Sequence, residues 1–153
     1  DITFHPGYLE DKTWGPLLAQ LIPIIENSQS FYTKRYWDAF QKVDSFRINS
    51  YFNIQRYLPN EGFSDWHCER AGLHHSNRIL VWMVYLNDVT DGGETEFFYQ
   101  KHWEEPKQGK LLIWPSDWLY LHRGVSSPTQ TKYVLTGWFV HHSKEEQNNQ
   151  ENV

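Results

Sequence analysis

From Phe46 onward the chain is written in short segments whose apolar residues alternate, each closed by Gly, Pro, Asn or Asp. Strand side chains point to opposite faces with a period of two, so this pattern marks antiparallel strands of a sandwich or barrel. In RINSYFNIQRY the even positions Ile48, Phe52 and Ile54 are apolar, while Asn49, Tyr51, Asn53, Gln55 and Tyr57 share the other face. One face packs, and the other is read as the wall of a polar pocket. Further strands are predicted at RILVWMVYLN, TEFFY, GKLLIW, LYLHR and KYVLTGWFV, with turns at DVTDGGE, EEPKQGK and SSPTQT.

Ahead of the strands, Asp11 is placed to cap a helix through KTWGPLLAQLIPIIENSQ, with Leu17, Leu18, Leu21, Ile22, Ile24 and Ile25 as its apolar stripe. Pro23 inside it predicts a kink or a break. Tyr36, Phe40 and Val43 recur at helical spacing in TKRYWDAFQKV and predict a second short helix. Helices followed by a run of antiparallel strands predict a mainly β jelly roll with helices on its outer face.

A length of 153 residues suits one domain, expected over residues 1–143, with the polar end SKEEQNNQENV read as a disordered tail over 144–153. The formal charge of −5 gives no basic footprint for a nucleic-acid backbone. No apolar run approaches membrane length, and a lone cysteine, Cys68, forms no internal disulfide. The first residues lack the basic and apolar regions of a secretory leader, so a reducing, cytoplasmic compartment is expected. Aromatic residues make up 17% of the chain, enough to fill a core and also line a concave site.

The chemistry centres on SDWHCER, where His67 and Glu69 flank Cys68. Two such His-x-acid triplets occur, HCE at 67–69 and HWE at 102–104, where chance alone supplies about one, so the triplet needs context before it is read as part of a two-histidine, one-carboxylate iron site. On a strand, residues two apart face the same way, so His67 and Glu69 can offer a nitrogen and an oxygen to one ion. A third ligand must come from another strand. His122 is the candidate, alternating with Tyr120 and Trp118 in WLYLHR. Ten residues later Lys132 opens KYVLTGWFV, a cation at the mouth of an apolar strand that calls for an anionic partner. His102 and Glu104 lie in KHWEEPKQGK, read as a charged loop and assigned to solvent. His74 and His75 are placed in an exposed loop, with a role in gating substrate left open, and His141 and His142 beyond the last strand.

In order and spacing, residues 56–139 resemble the Fe(II)- and 2-oxoglutarate-dependent dioxygenases, within them the prolyl 4-hydroxylase-like branch. RYLPNEGFSDWHCE is similar to the strand and turn leading to the first ligands, RILVWMVYLNDVTDGGETEF to the Arg…YLN…GGxTxF stretch, and HRGVSSPTQTKYVLTGWF to the distal histidine, basic residue and Trp. The resemblance implies a double-stranded β-helix (jelly-roll, cupin-like) core, with Fe(II), 2-oxoglutarate and O2, and ascorbate as an optional addition. It assigns His67, Glu69 and His122 to the metal, and Lys132, Tyr85, Tyr57, Trp138 and Thr95 to the cosubstrate pocket. Thr95 reads equally as a plain strand former. Arg78, with Tyr51 and Asn53, is assigned to the substrate. For Arg78 an ion-pair role stays open, because its odd separation from Tyr85 puts the two on opposite faces unless a bulge intervenes.

The family's usual carboxylate is Asp, and Glu69 is longer by a methylene, a reach that a small backbone shift is expected to absorb. The implied activity is hydroxylation, first of a prolyl residue in a peptide or protein. A free amino acid or other small molecule stays open as substrate, as do nucleic-acid demethylation and a non-catalytic metal-binding jelly roll. Demethylation calls for a second Arg in the last strand, which YVLTGWFV lacks.

Overall fold

A computed structural model describes residues 1–141. The expected tail and His142 lie outside the described residues. Two antiparallel sheets form the body. The larger runs in the order β1 (Ile2–Phe4), β3 (Phe52–Tyr57), β9 (Lys132–His141), β4 (Arg78–Tyr85) and β7 (Leu111–Pro115), with β2 (Phe46–Ile48) also paired to β9. The smaller has β5 (Thr95–Phe97) between β6 (His102–Glu104) and β8 (His122–Gly124). This is the jelly roll expected from the strand pattern.

The larger sheet is covered on both faces, and strand alternation decides which residue goes where. Along β4, Leu80, Trp82 and Val84 join Leu18 and Ile25 of the helix α1 (Gly15–Arg35) in one cluster. Val81, Met83 and Tyr85 join Phe97 of the smaller sheet in another. A strand buried on both sides reads as a continuous apolar run, which explains why RILVWMVY shows no alternation of its own. On β3 and β9 the two faces differ in chemistry. Phe52, Leu135 and Phe139 pack in the α1 cluster, while Asn53, Gln55, Thr136 and Lys132 line a cavity between the sheets.

Several expectations change. Asp11 Oδ1 accepts from the amides of Thr13 and Trp14, but it caps the turn before α1, which begins at Gly15. The helix runs through Pro23 to Arg35, absorbing the start of the second expected helix and leaving the single turn α2 (Trp37–Phe40). Pro23 deprives the carbonyl of Ala19 of its helical donor, and Ala19 is exposed, so water can satisfy it. Leu17 and Ile24 are exposed, and the buried stripe is Leu18, Leu21, Ile22 and Ile25 at strict helical spacing. Trp118–Tyr120 is a short 3₁₀ helix instead of a strand, and HWE is a strand, β6, instead of a loop. Among the described residues no helix is long and apolar enough to cross a membrane.

Register is fixed where β9 passes Trp82. A Cβ at Gly137 would lie 2.4 Å from Trp82 Cζ2 and 2.9 Å from Phe52 Cβ, so only glycine lets the indole cross the strand. Gly137→Ala should destabilise the fold by about 1–3 kcal/mol through overpacking. Gly72→Ala, with nothing within 4 Å of its added Cβ, should stay within about 0.5 kcal/mol of the parent. Urea unfolding of both variants tests this; equal midpoints would contradict it.

Candidate metal centre and cosubstrate pocket

His67 is not on a regular strand. It sits in an extended segment that meets β8 through one antiparallel bridge: His67 N donates to His122 O at 3.0 Å and His122 N to His67 O at 2.9 Å. This reciprocal pair sets the two histidine backbones side by side. Their rings lie 4.3 Å apart between centroids, and Glu69 follows in a turn instead of on the predicted strand. His67, Glu69 and His122 each offer a ligand atom, all within 4.8 Å of one another, and form one cluster.

The tautomers follow from the partners. His67 Nδ1 lies 2.9 Å from the carbonyl of Asp65, and His122 Nδ1 lies 2.8 Å from that of Tyr120. A carbonyl only accepts, so each Nδ1 carries a proton and each Nε2 turns toward Glu69 Oε1, at 3.5 and 3.6 Å. Glu69 Oε2 is occupied elsewhere, accepting from Arg78 Nη1 and Trp138 Nε1, both at 2.9 Å. Burial opposes ionisation of Glu69, but the two imidazoles of His122 and His67 beside it outweigh it and hold the carboxyl well below its usual range. Burial also works against a charged His67, yet the neighbouring Glu69 carboxylate and the Asp65 carbonyl leave its pKa raised. A site that favours positive charge between two imidazoles and a carboxylate suits a divalent cation, for which nitrogen and oxygen donors in this number fit Fe(II).

The cavity beside the cluster has a volume of about 240 Å³. At its far side Lys132 is 5% exposed. Its Nζ donates to the carbonyl of Gly93 at 2.9 Å and lies 5.4 Å from the centroid of the Tyr57 ring. Among the described residues no carboxylate forms a salt bridge with it. Burial pulls its pKa down to about 8, and the field of Glu94 recovers only part of the loss. A buried ammonium with donors to spare suits the carboxylate of 2-oxoglutarate.

Of the residues assigned from the sequence, the cavity collects His67, Glu69, His122, Lys132, Tyr57, Thr95, Trp138 and Asn53. It leaves out three. Tyr85 is sealed in the core; burial pushes its pKa up to about 12, and its hydroxyl donates to the Glu104 carbonyl at 3.0 Å and shares a 2.7 Å hydrogen bond with the Thr95 hydroxyl. It meets the cavity through Thr95, not directly. Tyr51 is 54% exposed, because the chain between Ile48 and Asn53 is two residues longer than the matching stretch of β9 and bulges into solvent. Arg78 binds Glu69 and lies over Trp138, 3.6 Å from the ring centroid. The bulge its direction required is present, as a register shift between Arg78 and Leu80.

Phe63, Met83, Trp114, Arg123, Gly124 and Thr136 line the cavity without having been singled out. Thr136 was legible from its place on the Lys132 face of β9. Phe63, 4.2 Å from the His67 ring between centroids, comes from an irregular loop with no periodicity to follow. His102 binds Glu104 at 2.8 Å on exposed β6, outside the metal cluster. It is exposed as expected, although it lies on a strand and not in a loop, with β7 between it and β8 in the chain. His74 and His75 are exposed in a short 3₁₀ helix, and Cys68 is half-buried. His141 is the last residue of β9, paired with Phe46, not a residue beyond the strand.

Two imidazoles and a carboxylate held between the sheets of a jelly roll define a non-haem oxygenase of the double-stranded β-helix class. The chain belongs to the 2OG-Fe(II) oxygenase superfamily, whose family model matches residues 52–140. It is therefore an Fe(II)/2-oxoglutarate dioxygenase, using Fe(II), 2-oxoglutarate and O2. No curated protein matches the sequence. Among solved structures the chain is similar to a viral collagen prolyl hydroxylase from Paramecium Bursaria Chlorella virus-1 in its 2OG complex, with a TM-score of 0.62 and 20% identity over 81% of this chain and 74% of that one. A prolyl 4-hydroxylase from Phytophthora capsici gives 0.67 and 20% over 99% of this chain and 55% of that one. A Pseudomonas putida prolyl-4-hydroxylase gives 0.60 and 21% over 80% and 66%. The chain thus spans little more than half of the Phytophthora protein and just under two thirds of the Pseudomonas one.

Alanine at His67, Glu69 or His122 should each abolish turnover, with the triple variant hardly worse than any single one, because the three act as a unit. His102→Ala should keep it. Activity lost with His102→Ala and kept with His122→Ala would reassign the site. Lys132→Ala should raise the KM for 2-oxoglutarate on the order of 10- to 100-fold, the worth of one charge-assisted hydrogen bond. In the parent that KM should also rise above pH about 8, where the folded-state ammonium loses its proton and its attraction for a carboxylate. Lys132→Arg should remove the rise, since a guanidinium stays charged. A KM for 2-oxoglutarate that is flat with pH in the parent would contradict this.

Proposed function

We propose that the protein hydroxylates a prolyl residue in an extended peptide or protein segment. The observation that carries this reading is the arrangement of one cavity, with His67, Glu69 and His122 on one side, Lys132 on the other and Phe63 on its wall, next to a run of exposed aromatic side chains that the cavity-lining Arg123 joins through Trp66. Phe63, Trp66, Phe98 and Tyr99 are all at least 37% exposed. Trp66 packs edge-on to Phe98 with centroids 5.1 Å apart, and the Arg123 guanidinium lies 4.6 Å from the centroid of the Trp66 ring. Flat aromatic surfaces suit proline rings, and an extended polyproline-like chain needs little ordering to lie across them. The likeness in fold to several prolyl hydroxylases supports the same substrate class.

In this reading His67, His122 and Glu69 hold Fe(II). Lys132, with Thr95 steadied by Tyr85, fixes the far carboxylate of 2-oxoglutarate. Asn53 and Gln55 offer hydrogen bonds to the substrate side of the wall. Iron with 2-oxoglutarate and oxygen supplies the oxidation, in which the cosubstrate gives succinate and CO2 and a substrate C–H becomes C–OH. The residues bind, orient and keep bulk water from the reacting centre. The net charge of −5 works against a nucleic-acid substrate.

Succinate formation should be stimulated by proline-containing peptides, with a product about 16 Da heavier by mass spectrometry, the mass of one inserted oxygen. The panel should include free amino acids and methylated oligonucleotides. Stimulation by free amino acids alone would overturn the peptidyl reading.

A further inference from the structure

The dioxygenases this chain resembles usually place Asp where it carries Glu69. The extra methylene adds a rotatable bond and gives the two carboxylate oxygens more ways to meet a cation. In an octahedral shell, three single-atom ligands leave three positions open, whereas a two-oxygen grip by the carboxylate leaves two. A glutamate here needs something to select one oxygen.

The surroundings of Glu69 make that selection. Oε1 is the oxygen facing the histidines, at 3.5 Å from His67 Nε2 and 3.6 Å from His122 Nε2. Oε2 accepts from both Arg78 Nη1 and Trp138 Nε1 at 2.9 Å. Arg78 Nη1 also donates to the backbone carbonyl of Glu69 at 3.2 Å, so one donor holds the main chain and the side chain of the same residue. The two donors hold each other as well, the guanidinium lying 3.6 Å from the centroid of the Trp138 ring. Arg78 is aimed by the register shift between Arg78 and Leu80, and Ser116 Oγ donates to its carbonyl at 2.7 Å. The Arg78 and Glu69 side chains are 16% and 17% exposed, too sheltered for a loosely held surface pair.

We propose that Arg78 and Trp138 form a clamp, cut to the length of glutamate, that commits Glu69 to the metal through Oε1 alone. Arg78 is then a positioning residue and not a substrate contact. The inference rests on the metal-binding reading of the site. An aspartate at 69 is too short to keep one oxygen on the clamp and the other at the histidines.

Anaerobic calorimetry of the full chain with Mn(II) tests the clamp, with the absorption spectrum of bound Co(II) as a second reading of coordination. Arg78→Met and Trp138→Phe should each weaken Mn(II) binding by roughly 10- to 100-fold, the usual range for partners that orient a ligand. Arg78→Lys should recover part of the loss. Arg78→Met should also change the Co(II) spectrum as the second oxygen is released. Glu69→Asp should weaken binding in the parent but add little in the Arg78→Met background, because the two changes remove the same contact. Thermal unfolding checks that each variant is folded, and Trp138→Phe with Arg78→Lys decides the matter if Arg78→Met is not. Parental Mn(II) affinity in folded Arg78 and Trp138 variants, or additive losses in the cycle, would overturn the clamp alone. A parent that binds no Mn(II) would overturn the metal reading together with it.

Discussion

Alternation along β9 sends Leu135 and Phe139 into the layer beneath α1 and Lys132, Val134, Thr136 and Trp138 into the cavity. The strand pairs with β2, β3 and β4, so its register fixes theirs. A slip by one residue would turn Lys132 into the apolar layer and Leu135 into the cavity, losing core and chemistry at once. Glycine at position 137 gives the register a physical stop, since the indole of Trp82 fits across the strand only there. Stability and function are thus written on opposite faces of one strand.

The cluster of His67, Glu69 and His122 depends on a smaller device. A single backbone bridge between His67 and His122 joins an irregular segment to the short strand β8. It sets the two residues directly opposite each other with their ring centroids 4.3 Å apart, and carbonyls of the two segments fix each ring by its outer nitrogen. The converging nitrogens are therefore set by main-chain atoms, which tolerate changes of side chain around them. Glu69 has no such ladder, and its direction comes from Arg78 and Trp138 instead.

Much of this was legible in the sequence because it follows period-two alternation. Asn53, Gln55 and Tyr57 reach the cavity as their spacing on β3 requires, and Lys132 and Trp138 as theirs on β9 requires. The histidines and Glu69 were readable through resemblance, although the strand that was to hold the first pair is a bridge and a turn. What escaped lay where periodicity stops. Tyr51 left the wall because extra residues bulge out before β3, a length mismatch visible only once β9 is placed beside it. Tyr85 sits on the inner face as spacing requires, but Thr95 of the facing sheet stands between it and the cavity. Arg78 turned inward through a bulge that no composition signals. Phe63 and Arg123 come from a loop and a three-residue strand, too short to carry a pattern.

The charges of the cavity make a final point about selectivity. Glu69 and two imidazole nitrogens present negative potential at one side, and the Lys132 ammonium presents positive potential at the other. Arg78 neutralises one oxygen of Glu69 without reaching the histidines, so the negative end stays local. A cation alone would complement one end and leave the buried Lys132 with a carbonyl but no carboxylate, at a desolvation cost already visible in its lowered pKa. A dicarboxylate that met the cation with one end and Lys132 with the other would satisfy both at once. Metal and cosubstrate should therefore bind with positive coupling, each strengthening the other by the same factor, as linkage requires.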